Sequence, residues 1–169
     1  AFDWEHNGEG YAGFNLLPLA DPEDVPTRQR MVRFANFYTG RDKTAPNWDA
    51  EHKIIRGTHN GSKGPRFGPK MDNWPDSEKF VSFSRGDDHL RGDYPMNLIT
   101  TALTTNAYML TGDEHYRDWT LEYANVWRER AVANDGMIPS NVGLGGKVGE
   151  YYDGKWYAGF YGWDFWFGG

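Results

Sequence analysis

The segment between Pro95 and Ala133 constrains the fold of this chain more than any other stretch. Its first half carries apolar side chains at helical spacing, namely Ile99, Ala102, Leu103, Ala107 and Leu110. Its second half carries an aromatic stripe, namely Tyr116, Trp119, Tyr123 and Trp127. Between the halves, Gly112 can adopt the positive φ that ends a helix, and Asp113 can cap the next one. We therefore predict an antiparallel helical hairpin over 95–133, with the aromatic stripe in the core.

An earlier helix is predicted over 24–39. Asp24 suits the N-cap position, Pro26 is tolerated in the first turn, and Gly40 suits the position after the helix end. This helix ends much as the first hairpin helix does, because both run into Thr-Gly with an acidic residue one or two positions later. We interpret 34–42 and 106–113 as two copies of one helix-ending unit, about 72 residues apart.

The remaining segments lack a sustained hydrophobic period. Residues 1–21 read as a lead-in rich in glycine and aromatic residues, and residues 41–92 as a long irregular insertion punctuated by proline and glycine. Residues 134–169 read as an aromatic and glycine-rich loop segment with a short hairpin around Asp153-Gly154. The sequence therefore predicts a mainly α fold with long loops, over 1–169 as a single domain or as a fragment of a larger one.

Aromatic residues outnumber aliphatic ones, since the chain holds ten Phe, ten Tyr and eight Trp but only 20 Leu, Ile and Val residues. Few aliphatic residues would indicate disorder if the net charge were high, but it is only −6, so we predict an ordered chain with aromatic packing. The mild acidic excess without a Lys/Arg stripe predicts no nucleic-acid partner. No apolar run approaches the ~20 residues of a membrane-spanning helix, so no membrane partner is predicted either.

Cysteine is absent, which excludes a disulfide framework, a thiolate nucleophile and cysteine-based zinc sites. Many periplasmic and secreted bacterial proteins also lack cysteine. We expect a periplasmic or secreted location and leave a cytoplasmic one open. The chain begins with Ala1 rather than methionine, so we expect it to be processed or cut from a longer chain.

The run from Leu98 to Trp119 resembles helix pairs of bacterial α/α-toroid (six-hairpin-like) proteins. In those proteins an inner helix ends in Tyr-x-Leu-Thr-Gly-Asp and an outer helix begins with Glu-x-Tyr, as 108–113 and 114–116 do here. Unsaturated glucuronyl hydrolases and several polysaccharide lyases are built this way, and 92–163 is also similar to uncharacterised bacterial members. The resemblance implies an α/α toroid, but toroids host hydrolases, lyases, epimerases and dehydratases, so it says less about the activity.

The length of the chain bears on that resemblance. A toroid of six hairpins needs about 300 residues, because each hairpin takes roughly 45–50. The 169 residues here can hold two or three hairpins. We therefore expect a partial toroid that further chain segments or subunits complete, with a small self-contained helical domain as the alternative.

A polar segment directly before the first hairpin helix is the first candidate site. It combines carboxylates, an imidazole, a guanidinium and a phenol, carried by Asp88, His89, Arg91, Asp93 and Tyr94. Paired carboxylates could act as acid and base in glycoside hydrolysis. Alternatively, His89 or Tyr94 could remove a proton next to a uronate carboxyl that Arg91 screens. A structural interpretation stays open, in which Asp93 caps the helix and Arg91 pairs with Asp88.

The aromatic tail is the second candidate site, because sugar rings stack on aromatic faces and neighbouring carboxylates accept hydroxyl hydrogen bonds. The candidate substrate-binding residues are Tyr152, Trp156, Tyr157, Tyr161, Trp163 and Asp164. Packing in the core is the alternative role for some of these rings. Asn141 lies in a glycine-rich turn; the resemblance to lyases implies that it could neutralise a uronate carboxylate, whereas turn chemistry would explain it without a substrate.

Together these features predict a carbohydrate-active enzyme, or part of one, that cleaves an acidic polysaccharide or oligosaccharide by β-elimination or hydrolysis. The alternatives are a non-catalytic glycan-binding or assembly module and a toroid dehydratase acting on a small hydrophobic substrate. No cofactor and no metal site are predicted, although the carboxylates near Asp88 leave Ca²⁺ open. His52 and His59 lie in the insertion without a recognisable metal-ligand spacing.

Overall fold

The computed structural model of the chain describes residues 12–43, 47–56, 60–61, 64–65 and 92–159. The described residues are mainly α-helical, so the predicted fold class is confirmed at that level. Their helices are α1 (Ala12–Ala20), α2 (Val25–Tyr38), α3 (Thr100–Thr111) and α4 (Glu114–Ala133), and a 3₁₀ helix (Pro95–Ile99) leads into α3. Two short antiparallel strand pairs join β1 (Trp48–Asp49) to β2 (Ile54–Ile55), and β3 (Asn60–Gly61) to β4 (Gly64–Pro65).

Helix α2 begins and ends where the sequence predicts. The Asp24 carboxylate, at the N-cap, accepts a hydrogen bond from the Thr27 hydroxyl, and Pro26 lies in the first turn. Gly40 follows the helix with a φ of +74°, the left-handed conformation that glycine adopts without a steric penalty. The helix buries Met31, Ala35, Phe37 and Tyr38 and packs against α3.

The two later helices are joined by the turn that the sequence predicts. Gly112 has a φ of +69°, and its N–H donates to the Tyr108 carbonyl over 2.7 Å. The Asp113 carboxylate accepts from the His115 N–H at 3.1 Å and so caps α4. The Thr104 and Thr120 hydroxyl oxygens lie 2.6 Å apart at equal sequence distances from Gly112, so α3 and α4 run antiparallel in contact.

The core is built largely from aromatic rings. All four residues of the α4 stripe are buried, as predicted: Tyr116, Trp119, Tyr123 and Trp127. Trp119 and Tyr123 stack with ring centroids 5.0 Å apart, and Trp48 from β1 packs edge-on against both. Such pairs add about 0.5–1.5 kcal/mol each beyond the buried area, so β1 is fixed to α4 by ring contacts.

Three details differ from the sequence-based expectations. Residues 12–20 form helix α1, although the glycine and aromatic residues of 1–21 predicted a lead-in without a helical period. The insertion 41–92 contains the β1–β2 pair, because Trp48, Ile54 and Ile55 pack onto the core and order that stretch. Asp153-Gly154 forms a turn closed by the Gly154 N–H to the Gly149 carbonyl, and no strand flanks it within the described tail up to residue 159.

Two glycines with positive φ provide a matched test of the fold. At Gly112 an added Cβ would meet no atom within 4 Å, whereas at Gly92 it would lie 2.2 Å from the Val142 carbonyl oxygen. Gly112→Ala should therefore lower the free energy of unfolding by about 1–2 kcal/mol through backbone strain alone. Gly92→Ala should cost a further ~1–3 kcal/mol for the steric overlap.

Urea unfolding of the two variants and the wild type measures this difference. Equal losses in both variants would contradict the close approach of residue 92 to Val142.

Candidate functional site

The loop 47–56 carries a histidine that a carboxylate orients. Asp49 Oδ1 accepts the backbone N–H groups of Glu51 and His52 at 3.0 and 3.2 Å. Asp49 Oδ2 lies 3.4 Å from His52 Nδ1 and 3.2 Å from Arg56 Nη2. Burial alone would raise the pKa of Asp49, but these hydrogen bonds hold it below the usual range, so the carboxylate stays ionised next to the imidazole.

The His52 side chain is partly open to solvent, with 33% of its surface exposed. Its Nδ1 faces Asp49, and in the described part of the chain its Nε2 makes no hydrogen bond. Arg56 is half-exposed and uses one nitrogen for Asp49, which leaves further guanidinium N–H groups for another acceptor. The loop thus offers a nitrogen that can take up a proton beside a cation that can bind a carboxylate.

A buried carboxylate, that of Asp93, connects this loop to the helices. Its side chain is fully buried, and Oδ1 accepts from the Tyr94 N–H, Asn97 Nδ2 and the Tyr123 hydroxyl at 2.8–2.9 Å. Its Oδ2 accepts the Ile55 N–H at 3.1 Å. Burial raises the pKa of Asp93 to about 6, while these hydrogen bonds oppose the rise. The carboxylate is therefore ionised at neutral pH, and both of its oxygens accept hydrogen bonds from donors of the protein itself.

Arg130, near the end of α4, links the buried carboxylate to the histidine loop. Its Nη1 lies 3.8 Å from Asp93 Oδ2, and its Nη2 donates to the His52 carbonyl at 3.0 Å. Burial lowers the pKa of Arg130, and the Asp93 charge counteracts that effect. Because both charges are buried together, each depends on the other for its stability. The backbone of His52 is consequently held by Arg130, which also forms the buried ion pair with Asp93.

Asn141 fixes the loop that carries the aromatic candidates. Its Nδ2 donates to the Ala158 and Lys155 carbonyls at 2.9 and 3.1 Å, and its Oδ1 accepts the Gly149 N–H at 2.9 Å. Ser140 adds hydrogen bonds from its hydroxyl to the Trp156 and Ala158 carbonyls. The amide of Asn141 is buried and its polar atoms are engaged by the backbone, so residues 149–158 form a rigid loop.

The glycine-rich loop 143–149 lies between the histidine loop and the aromatic residues. His52 packs on Gly146, where a Cβ would come within 3.1 Å of the imidazole. The Glu150 carboxylate accepts the Gly145 N–H at 2.9 Å, which closes the loop on its other side. Backbone hydrogen bonds between Asp93 and Val142 complete the junction. Residues 92–94, 47–56 and 141–150 therefore meet in one place.

The aromatic candidates differ in exposure. Tyr152 and Trp156 are half-buried, and Tyr157 is 38% exposed. Trp156 and Tyr157 form an edge-to-face pair with centroids 5.6 Å apart. Tyr152 packs its ring against Gly159, so it contributes to the inside of the loop. The rings available for a sugar in the described tail are thus those of Trp156 and Tyr157.

Half of the predicted site residues lie outside the described part of the chain, namely Asp88, His89, Arg91, Tyr161, Trp163 and Asp164. Of those described, Asp93, Tyr94 and Asn141 are buried and engaged in hydrogen bonds that organise the loops. Their catalytic roles stay predictions. Gly92, the first described residue after that gap, donates its N–H to the Arg56 carbonyl at 2.8 Å.

The structure adds three residues that the sequence analysis did not select: Asp49, His52 and Arg56. The signal for them is Asp-x-x-His within a short strand-turn-strand. In this pattern the aspartate can accept hydrogen bonds from the backbone N–H groups of the next residues and from the ring of the histidine. That pattern is too short to stand out in a segment of low periodicity. It becomes evident only when Trp48 and Ile55 are seen to pack onto the core.

In the part of the chain that the structure describes, no three His, Asp or Glu side chains are grouped to hold a metal ion. The helices of the same part are too short or too polar to cross a bilayer.

The helices and the loop junction define a mainly α-helical protein with a polar site built on loops at one end of α4. The chain matches the protein family described as a domain of unknown function, DUF8034, over residues 1–84 and 84–169. It belongs to that family. Neither the comparison with curated proteins nor the comparison with solved structures gave a match.

The buried carboxylate predicts a pH dependence of stability. The pKa of Asp93 is about 6 in the folded protein, above the ordinary value of 3.8. Folding therefore favours the protonated form, and the stability that Asp93 contributes is present below pH ~4 and is lost as the pH rises through 6. The size of this loss is on the order of 3 kcal/mol. The free energy of unfolding of the wild type, measured relative to that of Asp93→Asn, should accordingly decrease as the pH is raised from 4 to 7.

Chemical denaturation at several pH values measures that difference, and NMR of the Asp93 carboxyl carbon reports the titration itself. Glu129→Gln, which removes an exposed carboxylate from the same helix as Arg130, should leave the wild-type pH profile in place. An Asp93 carboxyl that titrates near 4 would contradict the account.

Proposed function

We propose that this chain is a carbohydrate-active enzyme, or part of one, that cleaves an acidic glycan, with His52 as its base. The observation that carries the proposal is the Asp49–His52 pair, a partly exposed imidazole oriented by an ionised carboxylate. A carboxylate that accepts from Nδ1–H fixes the tautomer and the orientation of a histidine ring and leaves its Nε2 as the acceptor. The half-exposed Arg56 beside the pair supplies a cation for a substrate carboxylate.

β-Elimination fits this arrangement better than hydrolysis. In elimination, His52 Nε2 would take the proton on the carbon next to the uronate carboxyl, and Arg56 would face that carboxylate. The C–H electron pair would form a C=C bond to the next carbon as the glycosidic C–O bond there breaks, and the leaving oxygen would take a proton from water. Hydrolysis instead requires two carboxyl groups about 5–9.5 Å apart that are free to exchange protons. Among the described residues of the junction, the carboxylates of Asp49 and Glu150 are already bound to backbone N–H groups, and that of Asp93 is fully buried.

The fold and setting that accompany this proposal follow the resemblance to α/α-toroid proteins. The proposed toroid fold is supported by the antiparallel α3–α4 pair and by the packing of α1 and α2 against α3. In this interpretation the chain is a partial toroid, and further segments or subunits complete it. A periplasmic or secreted location would bring it to polymeric glycans, and no metal or organic cofactor is needed for the elimination step.

A second candidate function is a non-catalytic glycan-binding module. The observation that favours it is the rigid loop 149–158, which presents Tyr157 and the adjacent Trp156. Rigid aromatic side chains suit sugar binding because little conformational entropy is lost on contact. In an enzyme the same rings would bind the glycan next to the cleaved bond. The two functions therefore share this surface, and only the enzyme requires His52.

The test is incubation of the full chain with uronate-containing polysaccharides while ultraviolet absorbance and reducing ends are recorded. We expect an absorbing, unsaturated product. His52→Gln should lower kcat by about 100-fold or more, because general base catalysis typically contributes 10²–10⁴-fold. His115→Gln makes the same substitution near the start of α4 and should leave kcat unchanged.

The outcomes separate the candidate functions. Reducing ends without ultraviolet absorbance would mean hydrolysis, and equal activity of His52→Gln and wild type would remove His52 from the mechanism. If no glycan is cleaved but glycan binding is lost in Tyr157→Ala and kept in Tyr157→Phe, the binding module is the correct function.

A further inference from the structure

A groove on the outer face of α2 lies apart from the loop junction. It has a volume of about 550 Å³ and is lined by one face of α2 together with Arg41 and Asp42. Arg28, Arg33 and Arg41 all line it, and Val32 forms an apolar part of its wall. Three arginines therefore gather in one groove of a chain whose net charge is −6.

The three arginines are not equally engaged. Arg41 donates to both carboxylate oxygens of Asp113, and this pair raises the pKa of Arg41. Arg33 lies over the Phe37 ring at 5.9 Å and makes no ion pair within the described residues. Arg28 is exposed and has no side-chain partner in that same part of the chain. Among the residues that the structure describes, two guanidinium groups at the wall of a concave surface thus have no anionic partner.

The groove and the candidate active site lie at opposite ends of α4. Arg41 contacts Asp113 at the start of this helix, whereas Arg130, near its end, contacts His52 and Asp93. The 17 residues between positions 113 and 130 correspond to about 25 Å at 1.5 Å per residue. A ligand in the groove would therefore not touch His52.

We propose that this groove binds the anionic group of a small ligand, a carboxylate or a phosphate, through Arg28 and Arg33. The planar guanidinium fork matches the oxygens of both groups, and hydrogen bonds between charged partners are shorter and roughly twice as strong as neutral ones. Val32 supplies the apolar contact for the carbon skeleton that carries the anion. The charge of Arg41 is balanced by Asp113, and Asp42 also lines the groove, so Arg28 and Arg33 supply the positive charge that an anion would meet.

The experiment titrates the full chain with trigalacturonate, with inorganic phosphate and with neutral galactotriose, by calorimetry and by NMR. We expect trigalacturonate or phosphate to bind and galactotriose not to bind. Arg28→Ala and Arg33→Ala should each weaken the binding by at least about tenfold, since a hydrogen bond to a charged group is lost. Added salt should weaken binding in the wild type.

Arg30→Ala is the matched control, because Arg30 is exposed on the same helix but does not line the groove. It removes the same charge and should keep the wild-type affinity. Preferential binding of trigalacturonate identifies a carboxylate ligand, and preferential binding of phosphate identifies a phosphorylated one. The proposal is wrong if neither anion binds, or if Arg30→Ala weakens binding as much as Arg28→Ala does.

The result is independent of the proposed catalytic function. His52→Gln should bind the anion with unchanged affinity, because the groove lies at the other end of α4. Loss of glycan cleavage with retained anion binding in that variant would leave the groove assignment intact. Loss of anion binding in His52→Gln would overturn it.

Discussion

The carboxylate of Asp93 is the interaction on which the rest of this structure depends. It is fully buried and accepts hydrogen bonds from the backbone of Ile55, from the 3₁₀ helix through Asn97, and from Tyr123 of α4. Three segments that are distant in sequence are thereby joined at one side chain. Since an unpaired buried charge is far more costly than a paired one, removal of any donor weakens the whole junction.

This arrangement explains why the exposed groups of the candidate site can be held in place by loops. Arg130 lies 3.8 Å from the buried carboxylate and at the same time donates to the carbonyl of His52. Asn141 likewise holds the loop 149–158, because its side-chain amide donates to the Lys155 and Ala158 carbonyls. The buried polar residues thus position the partly exposed ones, which is the usual relation between a catalytic group and its supporting shell.

The helices were predictable from the sequence, whereas the junction was not. Helical spacing and the chemistry of the Gly112 turn are local, so α2, α3 and α4 could be assigned together with the buried stripe of α4. The long-range hydrogen-bond donors to Asp93, Ile55 and Tyr123, lie 38 residues before it and 30 after it, and no local pattern reveals such a contact. Helix α1 was missed because Pro18 lies inside it, and His52 because its loop is ordered only by packing against α4.

Native-state hydrogen exchange of the Ile55 and Tyr94 amides tests the central role of Asp93 most directly, because both N–H groups donate to its carboxylate. Loop amides that face water exchange rapidly, whereas amides in a cooperative core open only with global unfolding. We expect both amides to exchange as slowly as the core amides of α4 and to lose this protection together. Rapid exchange of Ile55 while α4 stays protected would contradict the account.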